Sequence, residues 1–227
     1  MMQWKGDADM TAVDYKWKKP YAAPLGWLLA LLVCLGGVCV PAATAADAEG
    51  SAAGEDPTEY KLDKAHSRIG FRVGHLGIST VSGHLTNYSG RITLRGADLA
   101  TLETDVTIQV KSVDTGNAAR DKHLRAEDFF DSEEFPEIRF VADTMVREAG
   151  QWKLLGDFTM HGVTRQLTLP LDVKGPIEDP WGNTRIGLTT TTTINRHDYG
   201  VGSDKISDKM VGEEVTLDIS VEATAKK

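Results

Sequence analysis

The sequence predicts an all-β fold of about eight antiparallel strands, and three observations support this prediction. Apolar and polar residues alternate with a period of two through most of the chain after Tyr60, which is typical of strands that bury one face and expose the other. Turn-forming residues separate the alternating stretches, as at 114–116 (DTG) and 179–182 (DPWG). Only one segment has the composition of a helix.

The strands follow one another along the chain without an internal repeat. In the first of them, Ile69, Phe71 and Val73 point to one side, while Arg68 and Arg72 point to the other. The further strand segments are 82–90, 91–95, 102–111, 137–143, 152–160, 166–174, 186–194 and 214–222. Such strands close into a barrel or stack as a sandwich, and the alternation is compatible with both.

The predicted helix covers residues 118–130 (AARDKHLRAEDFF). Asn117 directly precedes it and is a favourable N-cap, because its side chain can accept a hydrogen bond from the first helical turn. Pro136 prevents the helix from running into the next strand, since the residue before a proline avoids helical backbone angles.

The N-terminal segment has the composition of a secretory signal peptide. Basic residues at 16–19 (KWKK) precede an uncharged apolar run at 25–40, and small residues follow that run. We expect a signal peptide over 1–46, a flexible leader over 47–58 and one folded domain over 59–227. The alternative is an uncleaved membrane anchor, although the apolar run is shorter than the roughly 18–20 residues of a spanning helix.

Charge and cysteine usage exclude several classes of protein. Acidic residues outnumber basic ones by 33 to 25, and the net charge of -8 argues against nucleic acid as a partner, because phosphate binding needs clustered lysine and arginine. Both cysteines, Cys34 and Cys39, lie in the apolar run. The exported domain is therefore expected to contain neither a disulfide nor a cysteine-based metal site.

The sequence also lacks the motifs of common enzyme classes. It contains no Gly-x-Ser-x-Gly elbow, no phosphate-binding loop and no His-Glu-x-x-His motif. The six histidines include no His-x-His or His-x-x-x-His pair, so no metal site is predicted. We expect a protein that is not an enzyme and has no cofactor. A hydrolase or metalloenzyme is the alternative, because catalytic side chains can assemble from distant positions.

Several blocks of residues, taken in order, resemble the YceI family. They are 65–75 (AHSRIGFRVGH), 112–116 (SVDTG), 120–125 (RDKHLR), 128–130 (DFF), 135–140 (FPEIRF), 156–164 (GDFTMHGVT), 194–200 (INRHDYG) and 211–215 (VGEEV). The resemblance extends over about residues 60–224. It implies a periplasmic, lipocalin-like antiparallel barrel of eight strands with one short helix. It also implies a polyisoprenoid ligand in an elongated apolar pocket.

On this resemblance we expect a periplasmic carrier or binder of a long apolar lipid, either a polyisoprenoid or an isoprenoid quinone. A homodimer and a transient contact with a membrane are further expectations. Three alternatives stay open: a binder of a fatty acid or fatty amide, a hydrolase or metalloenzyme, and a stress-response or interaction protein whose cavity is incidental. A long apolar lipid needs a dry cavity with few polar groups.

Candidate lining residues are those that the alternation places on the inward faces of the strands, together with Phe130 near the end of the predicted helix. They are Phe71, Val73, Leu85, Ile108, Phe130, Phe140, Phe158, Met160, Leu169, Ile194 and Leu217. The alternative for the same residues is a filled core without a cavity.

Four polar residues are candidates for contact with a lipid head group. His75 and His123 are candidates for hydrogen bonds to the head group, and capping of turns and of the barrel rim is the alternative role. Arg196 and Asp198 are two residues apart, so in a strand they share the face of Ile194, which the alternation places inside. We therefore expect a buried Arg196–Asp198 pair near the head group, with a solvated pair as the alternative.

Overall fold

The computed structural model describes residues 55–204 and 207–226, and most of this part of the chain is β-strand. The strands are β1 (Pro57–Leu62), β2 (Arg68–His75), β3 (Ser79–Leu85), β4 (Tyr88–Arg95), β5 (Asp98–Gln109), β6 (Val113–Asp114), β7 (Glu137–Glu148), β8 (Gln151–Met160), β9 (Val163–Glu178), β10 (Thr184–Asn195) and β11 (Val211–Ala225). The helices are α1 (Ala118–Leu124) and α2 (Ser207–Met210), and 3-10 turns span Val110–Ser112 and Arg196–Tyr199. The predicted signal peptide, 1–46, lies outside the described residues.

Eight of these strands close into an antiparallel barrel in the order β1-β4-β5-β7-β8-β9-β10-β11. The ring closes because β11 pairs with β1, through Lys61 opposite Thr224 and Leu62 opposite Ala223. The predicted eight-stranded antiparallel barrel is thus confirmed, and the sandwich alternative is excluded.

Strands β2, β3 and β6 lie outside this ring, and each is a neighbour in sequence of one ring strand: β1, β4 and β5, respectively. β2 follows β1 and pairs with β11, β3 pairs with β2 and leads into β4, and β6 follows β5 and pairs with β3 through Val113 opposite Leu85. The strand predicted over 82–90 is accordingly divided between β3 and β4, with a break at residues 86–87.

Strand β1 begins before the predicted domain boundary. Pro57 pairs with Arg95 and Thr58 with Leu94, so the leader predicted over 47–58 is strand in its last two residues. Proline is acceptable there because it is the first residue of the strand. The alternation gave little sign of this strand, since Tyr60 is its only fully buried residue.

Helix α1 is shorter than the predicted helix over 118–130. Its N-cap is confirmed, because Asn117 Oδ1 accepts a hydrogen bond from the Arg120 amide at 3.0 Å. The chain leaves the helix after Leu124, whose carbonyl accepts a hydrogen bond from the Phe130 amide at 3.1 Å. This turn buries Phe129, which is 7% exposed.

The two ends of the barrel differ in packing. The end we call the mouth is formed by α1, α2, β6, the two 3-10 turns and the loops at 76–78, 115–117, 125–136, 161–162 and 200–204. The opposite end, the base, is closed by the turns at 96–97, 149–150 and 179–183. Leu94, Leu102, Ile186 and Ala223 pack near the base and are 0–1% exposed, so the base is filled. Among the described residues, no helix is long and apolar enough to cross a bilayer.

Candidate functional site

Three apolar cavities lie in a row inside the barrel, between the filled base and the mouth. The inner cavity has a volume of about 90 Å³, the middle cavity about 110 Å³ and the outer cavity about 190 Å³. The inner and middle cavities share Ile108 and Leu217 in their walls, and the middle and outer cavities share Phe71 and Val73. Neighbouring cavities therefore have wall side chains in common, and we call the row of three the tunnel.

All eleven predicted lining residues lie in the walls of these cavities. The middle cavity is lined by Phe71, Val73, Leu85, Ile108, Phe130, Phe158, Met160, Ile194 and Leu217. Phe140 and Leu169 line the inner cavity. The interior is thus not completely filled, while a role of these residues in binding lipid stays a prediction.

Sequence reasoning missed two kinds of wall residue. Ile69 and Ile219 lie on the inward faces of β2 and β11, and the same alternation that selected Phe71 and Leu217 could have found them. Leu124, Phe129 and Val201 come instead from α1 and from mouth loops, where no period-two pattern exists. Their side chains reach the cavity only because the chain folds back over the mouth.

Polar side chains are concentrated at the mouth end of the tunnel. His75, Arg120 and His123 border the outer cavity, together with Ser207 and Met210. The side chains of His123 and Met210 are well exposed, so this cavity opens towards solvent between α1 and α2. The arrangement suits a ligand whose apolar chain lies inside and whose polar end lies at the mouth.

The two histidine candidates lie at this mouth, while their contact with a lipid head group stays a prediction. His75 ends β2 and lines the outer cavity. His123 also lines it, and its Nε2 lies 2.5 Å from Asp128 Oδ2. Arg120, which was not predicted, is held in place by Thr115, whose side-chain and backbone oxygens accept from its guanidinium at 2.7 and 2.9 Å.

The expected Arg196–Asp198 pair is wrong. Strand β10 ends at Asn195, and Arg196 and Asp198 lie in a 3-10 turn, where side chains no longer alternate with a period of two. Arg196 is 3% exposed and borders the middle cavity. Asp198 is exposed and pairs with Arg165 on the outside of the barrel, with 3.5 Å between Nη2 and Oδ1.

Arg196 is committed to the protein's own backbone. Its guanidinium donates to the carbonyl oxygens of Val201, Val211 and Gly212 at 2.9–3.1 Å, and the Gly202 carbonyl is a further acceptor. It also contacts Asp208 Oδ1 at 3.1 Å. Arg196 therefore joins the loop after β10 to the start of β11, which is a structural role and not a head-group contact.

Charged residues also cluster near the base. Arg185 contacts Asp179 at 2.7 Å, Asp63 at 3.1 Å and Glu222 at 2.5 Å. Asp63, Glu222 and His66 place ligand atoms within 4.8 Å of one another, so they could hold a metal ion. Arg185 contacts both of these carboxylates as well as Asp179, so the cluster forms an ion-pair network that joins β10 and β11 to the β1–β2 connection.

This network predicts acid sensitivity that depends on Arg185. Burial alone would raise the pKa of Asp179, but hydrogen bonds from Arg185 and Asn183 outweigh it and hold the pKa far below its ordinary value. A carboxyl with a lowered folded-state pKa stabilises the fold above its unfolded pKa, and this stability is lost as the pH falls towards the folded-state pKa. Arg185→Met should lower Tm by roughly 5 °C at pH 7. The Tm difference between the variant and wild type should become smaller as the pH falls towards 3.

Thermal melts between pH 7 and pH 3 measure this effect. Arg72→Met is the matched control, because Arg72 pairs with Asp218 on the exposed surface and such pairs contribute little. If the Tm difference between wild type and Arg185→Met is the same at every pH, the network does not set the acid response.

Two threonines in the inner cavity provide a second prediction. Thr190 is 4% exposed and its hydroxyl has no hydrogen-bond partner within residues 55–204 and 207–226, whereas the Thr104 hydroxyl donates to the Arg91 carbonyl at 2.9 Å. An unpaired buried hydroxyl is destabilising. Thr190→Val should therefore stabilise the lipid-free barrel by about 1 kcal/mol, and Thr104→Val should destabilise it. Denaturant unfolding of delipidated protein measures the free energy of unfolding of both variants. Equal effects of the two substitutions would contradict the view that only the Thr104 hydroxyl is hydrogen-bonded.

Comparison with known proteins agrees with this architecture. The YceI-like domain family matches residues 60–223. A UPF0312 protein of Photorhabdus laumondii is 35% identical over 170 residues, which cover 74% of this chain and 87% of that protein. The crystal structure of a Campylobacter jejuni YceI protein superposes with a TM-score of 0.58 at 32% identity, covering 74% of this chain and 98% of that one.

A more distant structure has the same fold. It is a polyisoprenoid binding domain from Saccharophagus degradans implicated in plant cell wall breakdown, with a TM-score of 0.58 and 17% identity, and the match covers 73% of this chain and 98% of that one. The family match extends over nearly the whole barrel described above, and the relative at 35% identity extends over a similar length. This chain therefore belongs to the YceI-like domain family.

Proposed function

We propose that this protein is a periplasmic, non-enzymatic carrier of a long apolar lipid, of the polyisoprenoid or isoprenoid-quinone class. The observation that carries the proposal is the row of three apolar cavities along the barrel axis. The description of the Saccharophagus degradans domain as polyisoprenoid binding supports the same ligand class. The periplasmic location is supported by the signal-peptide composition of residues 1–46.

The cavity sizes suit an isoprenoid chain. A cavity of about 150 Å³ lined by aliphatic and aromatic side chains stays dry and holds one benzene molecule, and one isoprene unit is of similar size. The outer cavity exceeds this volume, whereas the middle and inner cavities are smaller and accept an isoprene unit each only if wall side chains move apart. Each buried methylene contributes about 0.8 kcal/mol, so affinity needs no charged contact in the tunnel. His75, Arg120 and His123 border the outer cavity at the mouth, which supports a contact between these residues and the polar end of the lipid.

Native mass spectrometry of protein purified from the periplasm without detergent tests this function. We expect a bound species whose mass and fragmentation identify a polyisoprenoid or an isoprenoid quinone. A fatty acid or fatty amide in the same spectrum would favour the alternative binder, and protein that is always empty after gentle extraction would contradict lipid carriage. The spectrum also reports whether the expected homodimer forms.

A further inference from the structure

An exposed apolar patch lies at the mouth of the barrel. It consists of Leu76, Ile78 and Met210, which are 51%, 84% and 41% exposed, and we call it the rim patch. Leu76 and Ile78 flank Gly77 in the hairpin between β2 and β3. The Leu76 amide donates to the Met210 carbonyl at 2.8 Å, so the hairpin tip and the end of α2 are adjacent.

The rim patch borders the opening of the lipid tunnel. Met210 belongs to both the patch and the wall of the outer cavity. His75 and Val81, on either side of the hairpin tip, line the same cavity. A lipid that leaves the outer cavity therefore passes directly beside the patch.

The hairpin tip presents a leucine at a backbone position that favours other residues. Leu76 has a φ of 53°, in the left-handed region that is unfavourable for a bulky residue and that asparagine or glycine tolerates better. Half of its side chain is exposed, so burial does little to offset the strain. Ala149 and His161 adopt the same backbone before a glycine in their own hairpin turns, as such turns require, so the unusual feature of position 76 is its exposed leucine side chain.

We propose that the rim patch inserts into the surface of a lipid bilayer, so that the outer cavity opens onto the membrane during lipid exchange. This inference rests on the proposed carrier function. Three side chains on a projecting hairpin and a short helix are far fewer than the roughly 20–30 residues on each side of a stable protein interface. They suit shallow insertion of apolar groups at the bilayer interface.

The charge of the protein indicates which force holds it there. The net charge is -8, and next to the patch Lys209 lies beside Asp208, which pairs with Arg196. Attraction to anionic head groups is therefore weak, and the apolar side chains supply the affinity. Binding should occur on neutral phosphatidylcholine vesicles and should persist at high salt.

The double variant Leu76→Asn/Ile78→Asn provides the test. Asparagine tolerates the left-handed backbone at position 76, so Tm should be unchanged or raised. Flotation with phosphatidylcholine vesicles should show binding at least about tenfold weaker than wild type, because two inserted aliphatic side chains are lost. Trp181→Asn is the matched control: Trp181 is 80% exposed in the β9–β10 turn at the base, and vesicle binding should not change.

The outcomes separate this inference from the carrier function. Co-purified lipid should remain in the double variant, because the inner and middle cavities are untouched. Wild type that does not float with vesicles, a double variant that floats equally well, or a Trp181→Asn variant that loses flotation would each overturn the docking surface. A patch that instead mediates self-association would show as a concentration-dependent dimer that the double variant abolishes without any vesicle binding. Absence of lipid from every variant and from wild type would count against the carrier function itself.

Discussion

Replacing Val73 with tryptophan should reduce co-purified lipid by at least tenfold while the barrel stays folded. Val73 lies in the walls of both the middle and the outer cavity, so a larger side chain there blocks the passage between the two compartments. Overpacking of this kind costs about 1–3 kcal/mol, which lowers Tm by a few degrees without preventing folding. Native mass spectrometry measures the bound lipid, and circular dichroism measures Tm.

The matched control is Val141→Trp on the outer surface. Val141 lies in β7, is 38% exposed and lines none of the three cavities. The Val141→Trp variant should keep a wild-type amount of lipid. Equal lipid in Val73→Trp and wild type would show that the lipid does not pass through the tunnel. Equal loss in both variants would indicate general destabilisation.

Replacing Arg196 with methionine should destabilise the protein by roughly 3–5 kcal/mol, because removal of a buried charged partner leaves polar groups unpaired. The unpaired groups would be the carbonyl oxygens of Val201, Val211 and Gly212, which now accept from the guanidinium. The expected fall in Tm is roughly 10 °C. Chemical denaturation at pH 7 measures the change in free energy of unfolding.

Two further substitutions show whether this loss comes from the buried hydrogen bonds. Arg196→Lys keeps the positive charge but has a single donor group, so it should recover only part of the stability. Arg165→Met removes an exposed arginine that pairs with Asp198, and its effect should be below about 1 kcal/mol. A small effect of Arg196→Met would contradict the clamp role that the contacts assign to this residue.

The walls of the tunnel were predictable because they depend on a local property of the chain. A strand buries every second side chain, so the alternation around Phe71 and Leu217 identifies the inward face without any knowledge of the partner strands. All ten residues selected in this way line a cavity, as does Phe130, which was selected from the end of the predicted helix. The same rule failed at Asp198, because the strand had already ended at Asn195.

Other features depend on contacts between residues far apart in the chain. Arg185 meets Asp63 and Glu222 only after β10, β11 and β1 have come together at the closure of the barrel. The Thr190 hydroxyl lacks a hydrogen-bond partner in the described part of the chain and differs from that of Thr104 only through its surroundings. Neither feature has a sequence pattern of its own.

By itself the sequence determined the all-β class, the inward faces of the strands and the family resemblance, because each is carried by neighbouring residues. The tertiary structure alone decided that the ring closes between β1 and β11, that the interior holds cavities and that Arg196 is a clamp. Closure and packing depend on how side chains from separate strands fill a common volume. No spacing of residues along one strand specifies that volume.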